Sequence, residues 1–287
     1  MRFLDVKTDF AFKRVFGSEQ SKGVLIDCLN ALIDFGGERI TDLTIVDPYQ
    51  IPLLKGMKDS YVDVKAVLSN QSKVIIEMQV LNVEGFEQRV LYNAAKLYST
   101  QLKQADRYST LEPIIALTIT DFVMFPDIPK VISYWNLMER EFLLQYSDDI
   151  ELIFVELPKF SKQENELSSI NDKWLYFIKH AGELNFIPQS FTEPPLREAF
   201  DIANTAALSE EELEMQFKRH DFIRVQRGLQ DKLAKVEKEA QEAHAQGIAQ
   251  GKRETARNML RENISADTIS KCTGLSTEEI ERLRNNG

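Results

Sequence analysis

Two acidic residues occupy neighbouring strands of a predicted hairpin, and their placement indicates a metal site. Residues 61–65 and 74–80 alternate with the period of two that half-buried strands show, and the polar link 69–72 between them predicts a turn. With the turn at the centre of that link, Asp63 lies across from Glu77 or from the residue after it. The sequence therefore brings two carboxylates to one place on a sheet.

The chemistry of these side chains favours a hard divalent cation. Directly opposed side chains on paired strands have Cβ atoms about 5 Å apart, and two carboxylates that close repel each other unless a cation lies between them. Gln79 follows on the face of Glu77 and adds an amide oxygen. Oxygen ligands of this kind suit Mg²⁺ or Mn²⁺ rather than Zn²⁺.

The alternative is that Asp63 and Glu77 are solvated residues on the outer face of a sheet, where acidic side chains are common. Against it, Lys65, Glu77 and Gln79 form a polar cluster that is bordered by apolar residues on both strands. We therefore prefer the metal site.

An acidic and a basic residue share one face of the first predicted helix. Asp9 and Lys13 lie at i and i+4 within residues 8–17, so their side chains point the same way, while the three phenylalanines of the segment point mostly elsewhere. Two interpretations stay open. The two residues either form an ordinary ion pair on the helix surface or contribute to the site.

The spacing of Asp63 and of Glu77-Met-Gln79 resembles the PD-(D/E)xK nuclease superfamily, whose core strands carry an Asp and then a Glu-x-Lys. Further segments in the same order resemble the Rpn-like family of recombination-promoting nucleases and putative transposases, namely residues 8–17, 29–32, 61–63, 77–79, 88–92 and 108–113. This resemblance implies an α/β fold with a PD-(D/E)xK nuclease-like mixed sheet flanked by helices. It also implies a metal-dependent DNA endonuclease that uses Mg²⁺ or Mn²⁺.

Two residues depart from the superfamily pattern. Val62 stands where a proline is expected, and Gln79 stands where the catalytic lysine is expected. Hydrolysis of a phosphodiester needs an activated water and positive charge at the transition state, and a glutamine amide orients water but supplies no charge. Lys65, two residues after Asp63, and Lys13 are the candidates for that charge.

The helix predicted to follow the hairpin, from about residue 86 to residue 104, carries candidate DNA contacts. Gln88 and Tyr92 lie at i and i+4, and they resemble a Gln-x-x-x-Tyr element found in some nucleases of the superfamily. Arg89 is expected to be free to meet a phosphate. The alternative is that Tyr92 belongs to the core, as tyrosines at helical spacing often do.

Charge argues for weak, salt-sensitive DNA binding that a metal assists. The chain of 287 residues has a formal net charge of -10, but the charge is unevenly spread. Residues 1–110 carry equal numbers of basic and acidic side chains, whereas residues 140–217 carry more than twice as many acidic as basic ones. The proposed nuclease face is therefore neutral before it binds a metal.

Composition excludes several other classes of protein. No apolar run is long enough to cross a bilayer and no secretory signal is visible, so we expect a cytoplasmic protein. Two cysteines and three scattered histidines provide neither a disulfide framework nor zinc-ligand spacing. The sequence has no phosphate-binding loop of the Gly-x-x-x-x-Gly-Lys-Ser/Thr type, which argues against ATP use.

The chain divides into three predicted parts, a nuclease-like domain over 1–208, a long helical arm over 209–262 and a helix-turn-helix-like module over 263–287. In the first part we predict helices at 21–35, 165–181 and 193–208, and strands at 40–46, 111–120 and 150–158. An apolar stripe along the arm predicts a homo-oligomer. The second helix of the last module is rich in Glu, which favours protein contact over DNA reading.

The function that fits these observations is DNA endonuclease activity, with a role in recombination or mobile-element transfer. Two alternatives stay open. One is a noncatalytic DNA- or protein-binding protein that keeps the fold without the lysine, and the other is a true transposase, which the acidic recognition helix argues against.

Overall fold

The computed structural model describes residues 3–50 and 60–285. It contains two compact units, Met1–Ile223 and Arg224–Gly287. The division falls after Ile223, inside the long arm helix, and not at residue 208 where the sequence suggested it. The first turns of the arm therefore belong to the nuclease-like unit.

A six-stranded mixed sheet forms the centre of the first unit, in the order β1-β4-β5-β6-β8-β7. The strands along the chain are β1 Leu43–Val46, β2 Tyr49–Gln50, β3 Ser60–Tyr61, β4 Val64–Leu68, β5 Lys73–Gln79, β6 Ile114–Thr120, β7 Ile132–Trp135 and β8 Ile150–Glu156. β6 pairs in parallel with both β5 and β8, and the other pairs of this sheet are antiparallel. β2 and β3 form a separate small sheet.

Helices cover both faces of this sheet, as the family resemblance implied. In chain order, the described helices of the whole protein are α1 Asp9–Phe16, α2 Lys22–Leu32, α3 Phe86–Ser99, α4 Ile170–His180, α5 Pro194–Ile202, α6 Glu210–Arg261, α7 Ala266–Thr273 and α8 Thr277–Asn285, and α1 to α5 are the ones packed on the sheet. On one face α1, α2, α4 and α5 enclose the main core, in which Trp174 is fully buried beside Phe16. On the other face α3 packs Ala94 and Leu97 against Ile75 of β5.

Most predicted elements are present, with shorter bounds. β6 is buried along its whole length, as its continuous apolar run predicted. α3 ends at Ser99 and not at residue 104, while α4 and α5 are each shorter than predicted because 3₁₀ turns flank them. β7 and the small sheet were not predicted. β7 is a four-residue edge strand with one buried position, Ser133, and so carries little hydrophobic signal.

The second unit contains a small three-helix cluster that includes the last turns of α6. Ala256, Ile269 and Ile280 are fully buried together. Gly274 ends α7 in the left-handed conformation with a φ of 70°, and Ser276 accepts the N–H of Glu279 at the start of α8. Two short helices joined by a turn thus occupy the segment in which the sequence predicted a helix-turn-helix-like module. No described helix combines the length and the apolar composition that a membrane span requires.

Candidate active site

The hairpin of β4 and β5 sets the spacing of the two acidic side chains. Its antiparallel register pairs Val64 with Ile76, so Asp63, which comes just before β4, lies across from Glu77. The N–H of Asp63 donates to the Ile76 carbonyl at 3.2 Å, and the N–H of Met78 donates to Asp63 Oδ2 at 2.7 Å. The predicted facing is confirmed, and the Asp63 side chain is itself fixed to the end of the hairpin.

Both carboxylates are largely withdrawn from water. Glu77 is 9 % exposed, and the side chain of Asp63 is 16 % exposed. These fractions exclude the alternative in which the pair is solvated on an outer face. Burying a carboxylate without a matching cation costs free energy, so the pair needs positively charged partners.

Burial raises the pKa of both groups because it disfavours the charged form. For Asp63 the pKa rises to about 7, since burial and the neighbouring Asp9 outweigh the opposing effects of the Met78 N–H and Lys13. Burial likewise raises the pKa of Glu77, although the charge of Arg89 opposes it. The cations present therefore compensate the two carboxylates only in part.

Helix α1 brings Asp9 and Lys13 to the hairpin. Thr8 caps the helix by accepting the N–H of Ala11. Lys13 Nζ lies 2.7 Å from Asp9 Oδ1 and 3.7 Å from Asp63 Oδ1. The pair predicted at i and i+4 is therefore present, and it is more than a surface ion pair because it reaches the carboxylate of the hairpin.

Asp9 and Asp63 interact through their carboxyl groups. Burial alone would raise the pKa of Asp9. Hydrogen bonds with Lys13 and Asp63, together with the charges of Lys13 and Arg219, outweigh burial, so the pKa of Asp9 is lowered. The pKa of Lys13 is raised, because its carboxylate partners outweigh burial. The hydrogen bond that the two carboxyl groups share thus raises the pKa of Asp63 and lowers that of Asp9.

Helix α3 places Arg89 against the other carboxylate. Arg89 Nη2 lies 3.2 Å from Glu77 Oε1 and donates to Gln79 Oε1 at 2.8 Å. The other end of the Gln79 amide is also hydrogen-bonded, because its Nε2 donates to the Leu81 carbonyl at 2.7 Å. The expectation that Arg89 is free is therefore wrong, because α3 faces the sheet and directs this side chain onto β5.

Two buried polar residues of α3 were missed by the sequence reasoning. Asn93 is fully buried and lies close enough to Glu77 to lower its pKa, although neither amide atom has a hydrogen-bond partner among the described residues. Lys96 is 3 % exposed, and its Nζ donates to Ser60 Oγ at 3.3 Å. Helical spacing of Arg89, Asn93 and Lys96 at i, i+4 and i+7 was the available signal.

An open cavity of about 790 Å³ lies in front of the two carboxylates. Besides them it is lined by residues of α1, of the hairpin and its approach, of α3 and of α6, namely Thr8, Asp9, Phe10, Lys13, Tyr61, Val62, Met78, Gln79, Arg89, Met215, Gln216, Lys218, Arg219 and Phe222. Phe10 thus faces the cavity, contrary to the expectation that it points away from Asp9 and Lys13.

Three predicted site residues do not line this cavity. Lys65 Nζ donates to the Tyr49 carbonyl at 3.3 Å and borders a smaller cavity next to α3. Gln88 is exposed, and Tyr92 is 37 % exposed rather than part of the core. Contact of these two α3 side chains with DNA stays a prediction.

The first turns of α6 form one wall of the cavity, which the sequence reasoning did not anticipate. Gln216 Oε1 lies 3.3 Å from the Thr8 hydroxyl and accepts its hydrogen bond. Arg219 is near enough to lower the pKa of Asp9, and Lys218 lines the same wall. The site is therefore built from both ends of the nuclease-like unit.

Replacing Asp63 by Asn should stabilise the metal-free protein at alkaline pH. A carboxyl whose pKa rises from 3.8 to about 7 on folding contributes stability that is complete below its unfolded pKa and is lost as the pH rises through its folded pKa. We expect the melting temperature in EDTA to rise by several degrees at about pH 8 and hardly at about pH 4. Glu87→Gln, at an exposed carboxylate of α3, is the control. Equal melting shifts at both pH values would contradict the raised pKa.

Two truncations should separate the cavity wall from the rest of the arm. A chain that ends after residue 223 retains the whole first unit, so we expect it to fold and to bind Mg²⁺ and duplex DNA. A chain that ends after residue 208 lacks Gln216, Lys218 and Arg219, and we expect a lower melting temperature and weaker DNA binding. Calorimetry measures the melting temperature of each chain, and fluorescence anisotropy measures its binding to DNA. Identical behaviour of the two chains would show that the α6 wall is dispensable.

Comparison with known proteins confirms the resemblance inferred from the motifs. A sequence family described as PD-(D/E)XK nuclease family transposase matches residues 6–229, which include the hairpin, α1, α3 and the α6 wall. No curated protein and no solved structure matches the chain significantly. Because the family match spans well over half of the sequence, the chain belongs to the PD-(D/E)XK nuclease family transposases.

Proposed function

We propose that this protein is a metal-dependent DNA endonuclease that hydrolyses phosphodiester bonds. The observation that carries the proposal is the pair Asp63 and Glu77, opposed across a hairpin, buried, and incompletely compensated within an open cavity. Buried ionisable groups with perturbed pKa values in a cavity are typical of catalytic sites. Family membership supports DNA as the substrate.

Asp63 and Glu77 would hold Mg²⁺ or Mn²⁺. Among the described residues, no group of three or more His, Cys, Asp or Glu side chains is spaced to hold a metal ion. A pair of carboxylates nevertheless fits Mg²⁺, which proteins bind through one or two carboxylates while waters and substrate phosphates complete its shell. Once bound, such an ion supplies a more acidic water and positive charge near the phosphate.

The side chains around the pair would position the substrate. Lys13 lies beside Asp63, so it is a source of charge on the α1 side, whereas Lys65 lies outside the cavity. Both polar ends of the Gln79 amide are bonded within the protein, so Gln79 would act through its neighbours rather than by binding water itself. The exposed Gln88 and Tyr92 would meet the DNA backbone outside the cavity.

A role in recombination or mobile-element transfer is the biological setting we propose. The description of the family as transposases supports it. Strand joining needs recognition of a particular DNA end, and α8, with Glu278, Glu279 and Glu281 against two arginines, offers a poor surface for reading a major groove. We therefore propose cleavage rather than cut-and-join chemistry.

Asp63→Asn and Glu77→Gln should each abolish DNA cleavage while the protein stays folded. Each amide keeps the shape of the side chain but loses the charge that binds a divalent cation. Nicking of a supercoiled plasmid with Mg²⁺, Mn²⁺ or EDTA measures the activity, calorimetry measures Mg²⁺ binding, and Glu87→Gln is the matched control. Wild-type cleavage by either amide variant would refute the site. DNA binding without cleavage by the wild type would instead favour a noncatalytic binding protein.

We propose that the protein is a homo-oligomer that assembles through α6. Phe222, Leu229 and Val236 recur at every seventh residue and are 49 %, 49 % and 60 % exposed. A seven-residue apolar repeat on a helix is the pattern of a coiled coil, and a stripe of this kind left in water favours association. Two active sites in one assembly would allow cleavage of both strands of a duplex.

Leu229→Glu combined with Val236→Glu should convert the assembly to a monomer, because two charges would be buried in the interface. We expect light scattering to show a dimer or higher oligomer for the wild type and a monomer for the double variant, with slower cleavage of the second strand. Gln241→Glu, which adds one charge on a different face of the same helix, is the control. A monomeric wild type would contradict the proposal.

A further inference from the structure

Arg89 is held in one place at the edge of the cavity although it is partly exposed. Its side chain is 43 % exposed, and an arginine with that exposure ordinarily samples many rotamers. Here Nη2 contacts the Glu77 carboxylate at 3.2 Å and the Gln79 amide oxygen at 2.8 Å, and the guanidinium lies 5.0 Å from the centre of the Phe86 ring. These three contacts, two of them through Nη2, restrict the position of the guanidinium.

Gln79 is oriented for this contact by a bond of its own. Its Nε2 donates to the Leu81 carbonyl at 2.7 Å, and this bond turns Oε1 toward Arg89. An amide that is fixed at its nitrogen presents its oxygen in one direction only. Gln79 therefore positions the guanidinium.

The remaining donors of Arg89 are available to a ligand. A guanidinium has five N–H groups in a planar fork, and the contacts above use only those of Nη2. No other side-chain N–H of Arg89 has an acceptor among the described residues, and the residue lines the cavity. A planar fork of this kind matches two oxygens of a phosphate.

Lys13 is a weaker candidate for the same task. Its ammonium lies between two carboxylates, at 2.7 Å from Asp9 and 3.7 Å from Asp63. A compact charge that already has two anionic partners adds little net positive potential at a phosphate. Arg89 has one anionic partner and keeps unused donors, so it has more to offer to an incoming anion.

We infer that Arg89 supplies the positive charge at the scissile phosphate, with Gln79 as its positioning residue. The inference rests on the proposed nuclease function. Arg89 keeps its proton throughout and donates hydrogen bonds to the non-bridging oxygens as their charge grows. In the hydrolysis itself, water oxygen bonds to phosphorus, one bridging P–O bond breaks, and the proton released by the water ends on the leaving oxygen. The charge that a lysine at residue 79 would provide thus comes from α3.

The alternative is that Arg89 only holds Glu77 in place, and four variants of the full-length chain distinguish the two roles. Arg89→Ala should lower kcat by about a hundredfold to a thousandfold, the usual cost of one transition-state donor, with a smaller change in KM. Arg89→Ala combined with Gln79→Lys should recover at least about tenfold of the lost rate, because an ammonium returns to the same end of β5. The kcat of Arg89→Lys should lie between the values for these two variants. Arg107→Ala, at an exposed arginine, is the control.

Chemical rescue provides a readout that a purely structural role would not move. Methylguanidine added to the Arg89→Ala variant should restore part of kcat, whereas it should not accelerate the Asp63→Asn variant. Saturating Mg²⁺ should not restore the kcat of the Arg89→Ala variant. If Mg²⁺ alone restores the rate, or if Arg89→Ala matches Arg107→Ala, Arg89 is not the source of charge and the inference is overturned. The double variant keeps a cation and serves as the test if Arg89→Ala does not fold.

Failure of the proposed function gives a different result. If the wild type cleaves no DNA with Mg²⁺ or Mn²⁺, the nuclease proposal and the role of Arg89 are both refuted. If the wild type cleaves and Asp63→Asn does not, while Arg89→Ala keeps the wild-type kcat, only the inference about Arg89 is refuted.

Discussion

The constraint on which the site depends is the burial of two opposed carboxylates at the end of the β4–β5 hairpin. Backbone pairing fixes Asp63 across from Glu77, so neither can move away from the other. Each carboxylate has acquired a cation from a different helix, Lys13 from α1 and Arg89 from α3. The helices on the two faces of the sheet are thereby tied to one point on it, and the raised pKa values show that these cations do not fully compensate the pair.

The start of α6 gives the cavity its fourth side, and this changes how the arm is understood. An arm that only assembled the protein would need no contact with α1, yet Gln216 accepts a hydrogen bond from Thr8, which caps that helix. The charge of Arg219 lowers the pKa of Asp9, the residue that follows Thr8. The same helix therefore lines the cavity with its first turns, and farther along its sequence it carries the exposed apolar side chains Leu229 and Val236, through which we propose that the protein assembles.

Local patterns in the sequence were enough to predict the hairpin, the facing of Asp63 and Glu77, and the buried strand β6. In each case the signal lies within a few residues or a single turn. The partners of those carboxylates could not be predicted in the same way, because the direction of Arg89 depends on how α3 packs on the sheet. The position of Arg219 in the cavity was harder still to predict, since about two hundred residues separate it from Asp9 and no periodicity links the two.

The charge of the cavity also explains why an acidic protein can have a site suited to an anion. The cavity is lined by four basic side chains, Lys13, Arg89, Lys218 and Arg219, against the three acidic ones of Asp9, Asp63 and Glu77. Charges more than about 10 Å away are largely screened at 0.1 M salt, so the acidic stretch between residues 140 and 217 weighs little beyond its nearest members. A divalent cation on the paired carboxylates would make the cavity clearly positive. In the proposed nuclease, metal binding would therefore precede and promote the approach of a phosphate, and the net charge of -10 would oppose only the nonspecific binding of DNA elsewhere on the surface.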